Sequence, residues 1–104
     1  MAQNTIIWTE TAIKQRREIL KYWTLRNQST VYSEKLIILI RERIELIFKN
    51  PEIGKETNHL DTRQVAMGNF SIYYKKIGNQ LIITAFWDNR QDPKKLVKLL
   101  NQQL

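Results

Sequence analysis

The side chains in this sequence with chemical potential are mostly cationic and phenolic. Arg90 stands in a short polar run, Asp88-Asn89-Arg90-Gln91-Asp92, directly after an apolar segment. Arg63 opens a β-favouring segment, and Tyr73, Tyr74, Lys75 and Lys76 follow one another in the next. His59, the one histidine, lies in a polar stretch with Lys55 nearby. A guanidinium flanked by two carboxylates has two uses: local pairing that caps the following helix, or recognition of an anionic group on a partner. As a general base His59 would need an orienting partner and a substrate-facing position, so a solvated loop histidine is the simpler reading. Side chains alternate along a strand, which sends Tyr73 and Tyr74 to opposite faces. One belongs to a core, and the other covers the sheet or stacks on a base. Lys75 and Lys76 alternate in the same way and cannot form one phosphate clamp.

Several chemistries are excluded. The chain has no cysteine, which removes disulfides, thiolate catalysis and Cys-ligated zinc. No ligand spacing suits a metal and no glycine-rich loop could cradle a phosphate, so neither metal nor cofactor is expected. The longest unbroken apolar run, residues 36–40, is far too short to cross a bilayer. The opening MAQNTIIWTE has no basic region followed by an apolar one, which points to the cytoplasm. The net charge is +7, with nine Lys/Arg against five acids up to Asn50 and eight against five after it. The excess is thus spread over the chain and is not a basic tail. Such a field favours a polyanion: nucleic acid, a ribosome or an acidic protein.

The elements that must position these groups follow from the hydrophobic pattern. With 104 residues and only three Gly and two Pro, the chain is expected to form one domain over residues 1–104. Residues 4–8 (NTIIW) read as a first strand. Thr9 or Thr11 can cap a helix whose Ala12, Ile19, Leu20 and Trp23 share one side. The Arg26-Asn27-Gln28-Ser29 segment breaks it. A second helix is predicted over residues 30–49, with Leu36, Ile37, Ile40, Ile44, Ile47 and Phe48 as its apolar stripe. Asn50-Pro51 ends it, because proline lacks the N–H and disfavours helical geometry before it. Two such helices joined by a short loop form an antiparallel hairpin.

Residues 51–62 make the one long polar connection. Strands are predicted over residues 63–67 and 70–77, with turns at Gly68-Asn69 and Gly78-Asn79. Residues 81–87 (LIITAFW) are almost continuously apolar, as in a strand covered on both faces and paired on both sides. Asp92-Pro93 begins a last helix docked by Leu96, Val97, Leu100 and Leu104. The class is α+β, in the order β-α-α-β-β-β-α, with the helical hairpin on a small antiparallel C-terminal sheet.

That order resembles the RelE/ParE toxin superfamily, and the ParE-like subgroup in particular. The resemblance rests on Phe86-Trp87-Asp88-Asn89-Arg90-Gln91-Asp92-Pro93 at the end of the last strand and on Arg63–Met67 followed by Phe70-Ser71-Ile72-Tyr73-Tyr74. Pro51-x-x-Gly54 after the second helix adds to it. It implies the toxin of a bacterial type II toxin–antitoxin, or plasmid-stabilisation, pair. RelE-type members cut messenger RNA on the ribosome, whereas ParE-type members bind and block DNA gyrase; an antitoxin encoded alongside silences either.

Cutting RNA through its own 2′-OH requires proton removal, stabilisation of the phosphorane charge and neutralisation of the leaving oxygen. Compared with RelE-type sites, Arg90 falls at the last-strand Arg and Arg63 at a basic hairpin position, the two weak catalytic candidates. Ser71, however, stands at the position of a central-strand Arg and Leu96 near that of a C-terminal Tyr. The alternative set, a Glu base with a His-Tyr pair, is missing too. The resemblance therefore implies target binding by Arg63, Trp87, Asp88, Asn89 and Arg90, with gyrase the expected target and ribosome-dependent RNA cleavage the alternative. Trp87 also has a structural reading, closing the core against Trp8 or Trp23, and that reading is the preferred one. The resemblance also implies a small, acidic antitoxin, bound as a hetero-oligomer along the helical hairpin and sheet edge. Tyr32, Leu36 and Leu39 are the candidates for that contact, because the second helix is richer in apolar residues than one buried stripe requires.

Overall fold

The N-terminal strand has a distant partner. In the computed structural model, which describes residues 5–101, β1 (Thr5–Trp8) runs parallel to β5 (Gln80–Asp88), from Thr5 opposite Gln80 to Trp8 opposite Ile83. Between them come α1 (Glu10–Asn27), α2 (Val31–Lys49), β2 (Lys55–Glu56), β3 (Arg63–Met67) and β4 (Phe70–Ile77), and α3 (Pro93–Asn101) follows. The five strands lie in the order β1-β5-β4-β3-β2, antiparallel except for the β1–β5 pair. Sequence reasoning placed β1 without its partner, and it missed β2, a two-residue strand in the polar connection that pairs with β3. Asn4 and Leu104, assigned to the first strand and last helix, lie outside the described residues.

Local chemistry sets the helix ends. Thr9, not Thr11, caps α1: its side chain accepts from Ala12 N–H at 3.1 Å, satisfying one of the free first-turn donors. Gln28, with φ 49°, closes α1 in a left-handed cap. Across the hairpin, the Thr24 and Ser33 hydroxyls are 2.6 Å apart and both lie within hydrogen-bonding reach of Leu20 O, so that one donates to the carbonyl and the other to its neighbouring hydroxyl.

The hairpin packs on one face of the sheet and α3 on the other. Ala12, Ile19, Leu36, Ile40, Ile44 and Ile47 meet Phe70, Ile72, Tyr74, Leu81, Ile83 and Phe86. Tyr73, Ala85 and Trp87 meet Leu96 and Leu100 beneath. This double cover explains the continuous apolar run of β5. A bulge is also required, since Tyr74 pairs with Ile83 but Tyr73 with Ala85, leaving Thr84 as an extra residue. The extra residue shifts the alternation, so Ile83 and Phe86 face the hairpin while Ala85 and Trp87 face α3.

Three sequence expectations are corrected here. Leu36 is 1% exposed and belongs to the core, not to a partner surface. Trp87 is 5% exposed and supports α3 on the face opposite Trp8 and Trp23, so it is neither an exposed anchor nor their packing partner. Val97, assigned to the docking side of α3, is 47% exposed.

Candidate functional site

The end of β5 is built around one carboxylate. Asp88 Oδ1 accepts from Arg90 N–H at 3.0 Å and Nε–H at 2.9 Å, and Oδ2 accepts from Nη2–H at 2.6 Å. This fork is a short, charge-assisted geometry. It lays the guanidinium 4.9 Å above the Trp23 ring of α1. Hydrogen bonding from Arg90 is the main cause that holds the Asp88 carboxyl below its ordinary value, against the opposing effect of burial. Asp92 plays no part in the fork; its side chain accepts from Lys94 N–H and starts α3. The Asp88 side chain is largely covered, at 12% exposure, whereas that of Arg90 is 50% exposed.

Asn89 is exposed and tied down from below. Its Oδ1 accepts from Ser71 Oγ at 2.8 Å, and Ser71 accepts from Gln64 Nε2 at 2.9 Å. Asn89 N–H donates to Asn69 O, fixing the turn to the β3–β4 loop. Ser71 itself is fully buried and Leu96 is 6% exposed, so neither position opens to a substrate.

Arg63 lies elsewhere. It pairs with Tyr74 across the ladder, whereas Asp88 pairs with Phe70. Four residues along β4 separate the two arginine sites by on the order of 13 Å, on opposite sides of that strand. Arg63 donates to Gly54 O at 2.8 Å and pairs with Glu56 at 3.4 Å. Tyr74 Oη donates to Pro51 O at 2.6 Å and accepts from Gly54 N–H at 2.9 Å. Burial pushes the Tyr74 and Tyr73 phenols up. Gly54 has no room for a side chain: a Cβ would lie 2.8 Å from Tyr74 Cε1 and 2.9 Å from Arg63 Cβ. That contact is the physical content of the Pro51-x-x-Gly54 motif. Beside it opens a polar cleft of about 790 Å³ that holds His59, but Arg63 and Tyr74 there are already engaged by the backbone.

These positions lie on a fold with known relatives. The sequence profile of the ParE toxin of the type II toxin–antitoxin system parDE matches residues 6–93. The chain belongs to the ParE toxin family. A solved structure described as a chromosomal ParDE toxin–antitoxin system from P. aeruginosa shares the fold with a TM-score of 0.67. That match is 16% identical and covers 79% of this chain and 91% of the other. No curated protein gives a significant match.

On this ParE fold the apolar surface is divided. Tyr32 is half-buried against Trp23, with ring centroids 5.1 Å apart, and Leu39 is 39% exposed. A groove of about 450 Å³ runs between β1, α1 and α2, lined by Ile6, Trp8, Leu20, Ile37 and Ile44. Ile37, not Leu39, contributes to it. Among the described residues no group of His and acidic side chains could hold a metal, and no helix is long and apolar enough to cross a membrane.

Sequence reasoning missed Gln15. It lies on the buried face of α1 between Ala12 and Ile19, and its Oε1 accepts from Phe86 N–H at 2.9 Å. The signal was available: positions 12, 15, 19 and 23 form one helical stripe, and a glutamine in such a stripe needs a partner.

Proposed function

We propose that this chain is a toxin that binds and inhibits DNA gyrase in the cytoplasm and is neutralised by a small acidic antitoxin. One observation carries the preference for binding over RNA cleavage. The two arginines that a ribonuclease would combine stand at opposite ends of the β3–β4 ladder, and Arg63 is engaged by Gly54 and Glu56. Ser71 and Leu96, the positions compared with an Arg and a Tyr of RelE-type enzymes, are packed inside. What remains exposed is Arg90 with Asn89, a rigid cationic turn suited to docking and without an acid–base partner. For the antitoxin, the groove lined by Ile6 and Ile37 offers an apolar seat along the hairpin and sheet edge, and the net charge of +7 favours an acidic occupant.

The test is a supercoiling assay with purified chain and gyrase. Inhibition that weakens at least tenfold in Arg90→Ala supports the reading, and unaffected gyrase at saturating toxin overturns it. Codon-positioned cuts in translated message, lost in Arg90→Ala, would instead assign RelE-type ribonuclease action. Expression without any growth defect would leave a basic binding module on a toxin fold.

A further inference from the structure

A line of three polar side chains runs beneath the turn that carries Arg90. Gln64 on β3 stands opposite Tyr73, Ser71 on β4 stands opposite Trp87, and Asn89 follows the last residue of β5. Tyr73 and Trp87 face α3, so Gln64 and Ser71 share that face. Each step along the line is a diagonal between neighbouring strands, a span that side chains bridge. Gln64 Nε2–H donates to Ser71 Oγ at 2.9 Å, and Ser71 Oγ–H donates to Asn89 Oδ1 at 2.8 Å. Ser71 is fully buried, so solvent does not compete for its hydroxyl.

The direction of this line follows from counting hydrogens. A hydroxyl has one hydrogen to give. Gln64 supplies a donor to Ser71, which passes its own hydrogen on, and in an amide only the oxygen can receive it. The Asn89 amide is thereby fixed with its oxygen inward and its NH2 outward. Asn89 is exposed, and among the described residues nothing accepts from its Nδ2. Beside it Arg90 commits Nε–H and one Nη2–H to Asp88 and keeps three N–H donors in a half-exposed guanidinium. The carboxylates nearby leave these donors free. Asp88 spends both oxygens on Arg90, and Asp92 turns one to Lys94 N–H. Glu18 borders the same groove as Arg90 but, among the described residues, makes no ion pair with it.

We propose that Asn89 and Arg90 together grip an oxyanion of the target, and that Gln64 and Ser71 are positioning residues that hold the Asn89 amide in its donating orientation. The inference rests on the gyrase reading above and deepens it. What the turn selects is a carboxylate or phosphate oxygen, and the setting is made two side chains away, on β3.

Two isosteric substitutions test this, each read by growth arrest on expression and by gyrase supercoiling. Asn89→Asp keeps the inward oxygen that Ser71 needs and puts a second oxygen where the NH2 was. Toxicity should fall at least about tenfold, because like charges then meet, with the denaturation midpoint unchanged. Gln64→Glu replaces a donor by an acceptor, which takes the Ser71 hydrogen. The Asn89 NH2 then turns inward to Ser71, its side-chain amide resonances shift, and toxicity falls about tenfold although residue 64 meets no target. Loss of binding to gyrase free of DNA in Asn89→Asp puts the oxyanion on a carboxylate, and loss only with DNA present puts it on a phosphate. Growth arrest by Asn89→Asp as strong as the parent's overturns the oxyanion contact. Unchanged amide resonances and toxicity in Gln64→Glu overturn the positioning role. If the parent arrests growth without affecting gyrase, the gyrase reading falls while the growth comparison still decides the turn; if it arrests nothing, both fall.

Discussion

The two ends of the β3–β4 ladder border the same residue type in opposite states. At one end Arg63 is consumed by structure, donating to Gly54 O and pairing with Glu56 while Gly54 N–H donates to the Tyr74 hydroxyl. At the other, Arg90 is aimed by Asp88 and Trp23 yet remains half in solvent. An arginine becomes a binding group when its partners fix its direction without exhausting its donors. The contrast separates a region that should fail by unfolding from one that should fail by losing function.

The largest effect should come from Gly54→Ala. The added methyl meets Tyr74 and Arg63 with no free space, and overpacking of this kind costs about 2–3 kcal/mol, read as a lower denaturation midpoint. A loss too small to measure would show that this end is not tightly packed. Tyr74→Phe comes next, at about 1–2 kcal/mol, because Pro51 O and Gly54 N–H would lose their partner. In contrast, Arg90→Ala should change stability by less than about 1 kcal/mol, the range of a partly exposed pair, while growth inhibition falls at least tenfold. Equal loss of folding and toxicity in Arg90→Ala would erase the distinction between the two ends.

The smallest effect is a dependence on pH. The Asp88 carboxyl is held low in the folded chain, so its stabilisation is complete above the ordinary carboxylate value near about 4. It is lost as the pH falls through the lowered folded value. Denaturation midpoints measured from neutral pH down into the acid range should therefore fall less steeply in Arg90→Gln than in the parent chain. Identical acid profiles would mean that the fork contributes nothing.

Much of this fold is legible in the sequence because period and punctuation agree. Asn50-Pro51 ends α2, Asp92-Pro93 begins α3, and the Gly68-Asn69 and Gly78-Asn79 turns set the register of β3, β4 and β5. The site is less legible. Trp87 reads from the sequence as a surface anchor or as a core partner of Trp8 and Trp23; the extra residue at Thr84 instead buries it on the opposite face, and no local pattern announces a bulge. Leu36 repeats with Ile40, Ile44 and Ile47, so the helical period alone assigns it to the core. It was the overall apolar density of α2 that pointed outward. That density is real, but it belongs to Ile37, Ile38, Leu39 and Leu46. The separation of Arg63 from Arg90 depends on strand order, which spacing along the chain does not encode.

The partnership of β1 with β5 also sets a timetable. The first strand to leave a ribosome must wait for the last before its edge is satisfied, and Thr9 has no Ile83 carbonyl to meet until β5 exists. Long-range pairing of this kind delays completion of the native sheet until β5 has been made. A nascent or truncated chain that ends before β5 therefore lacks both the assembled sheet and the cationic turn beyond it.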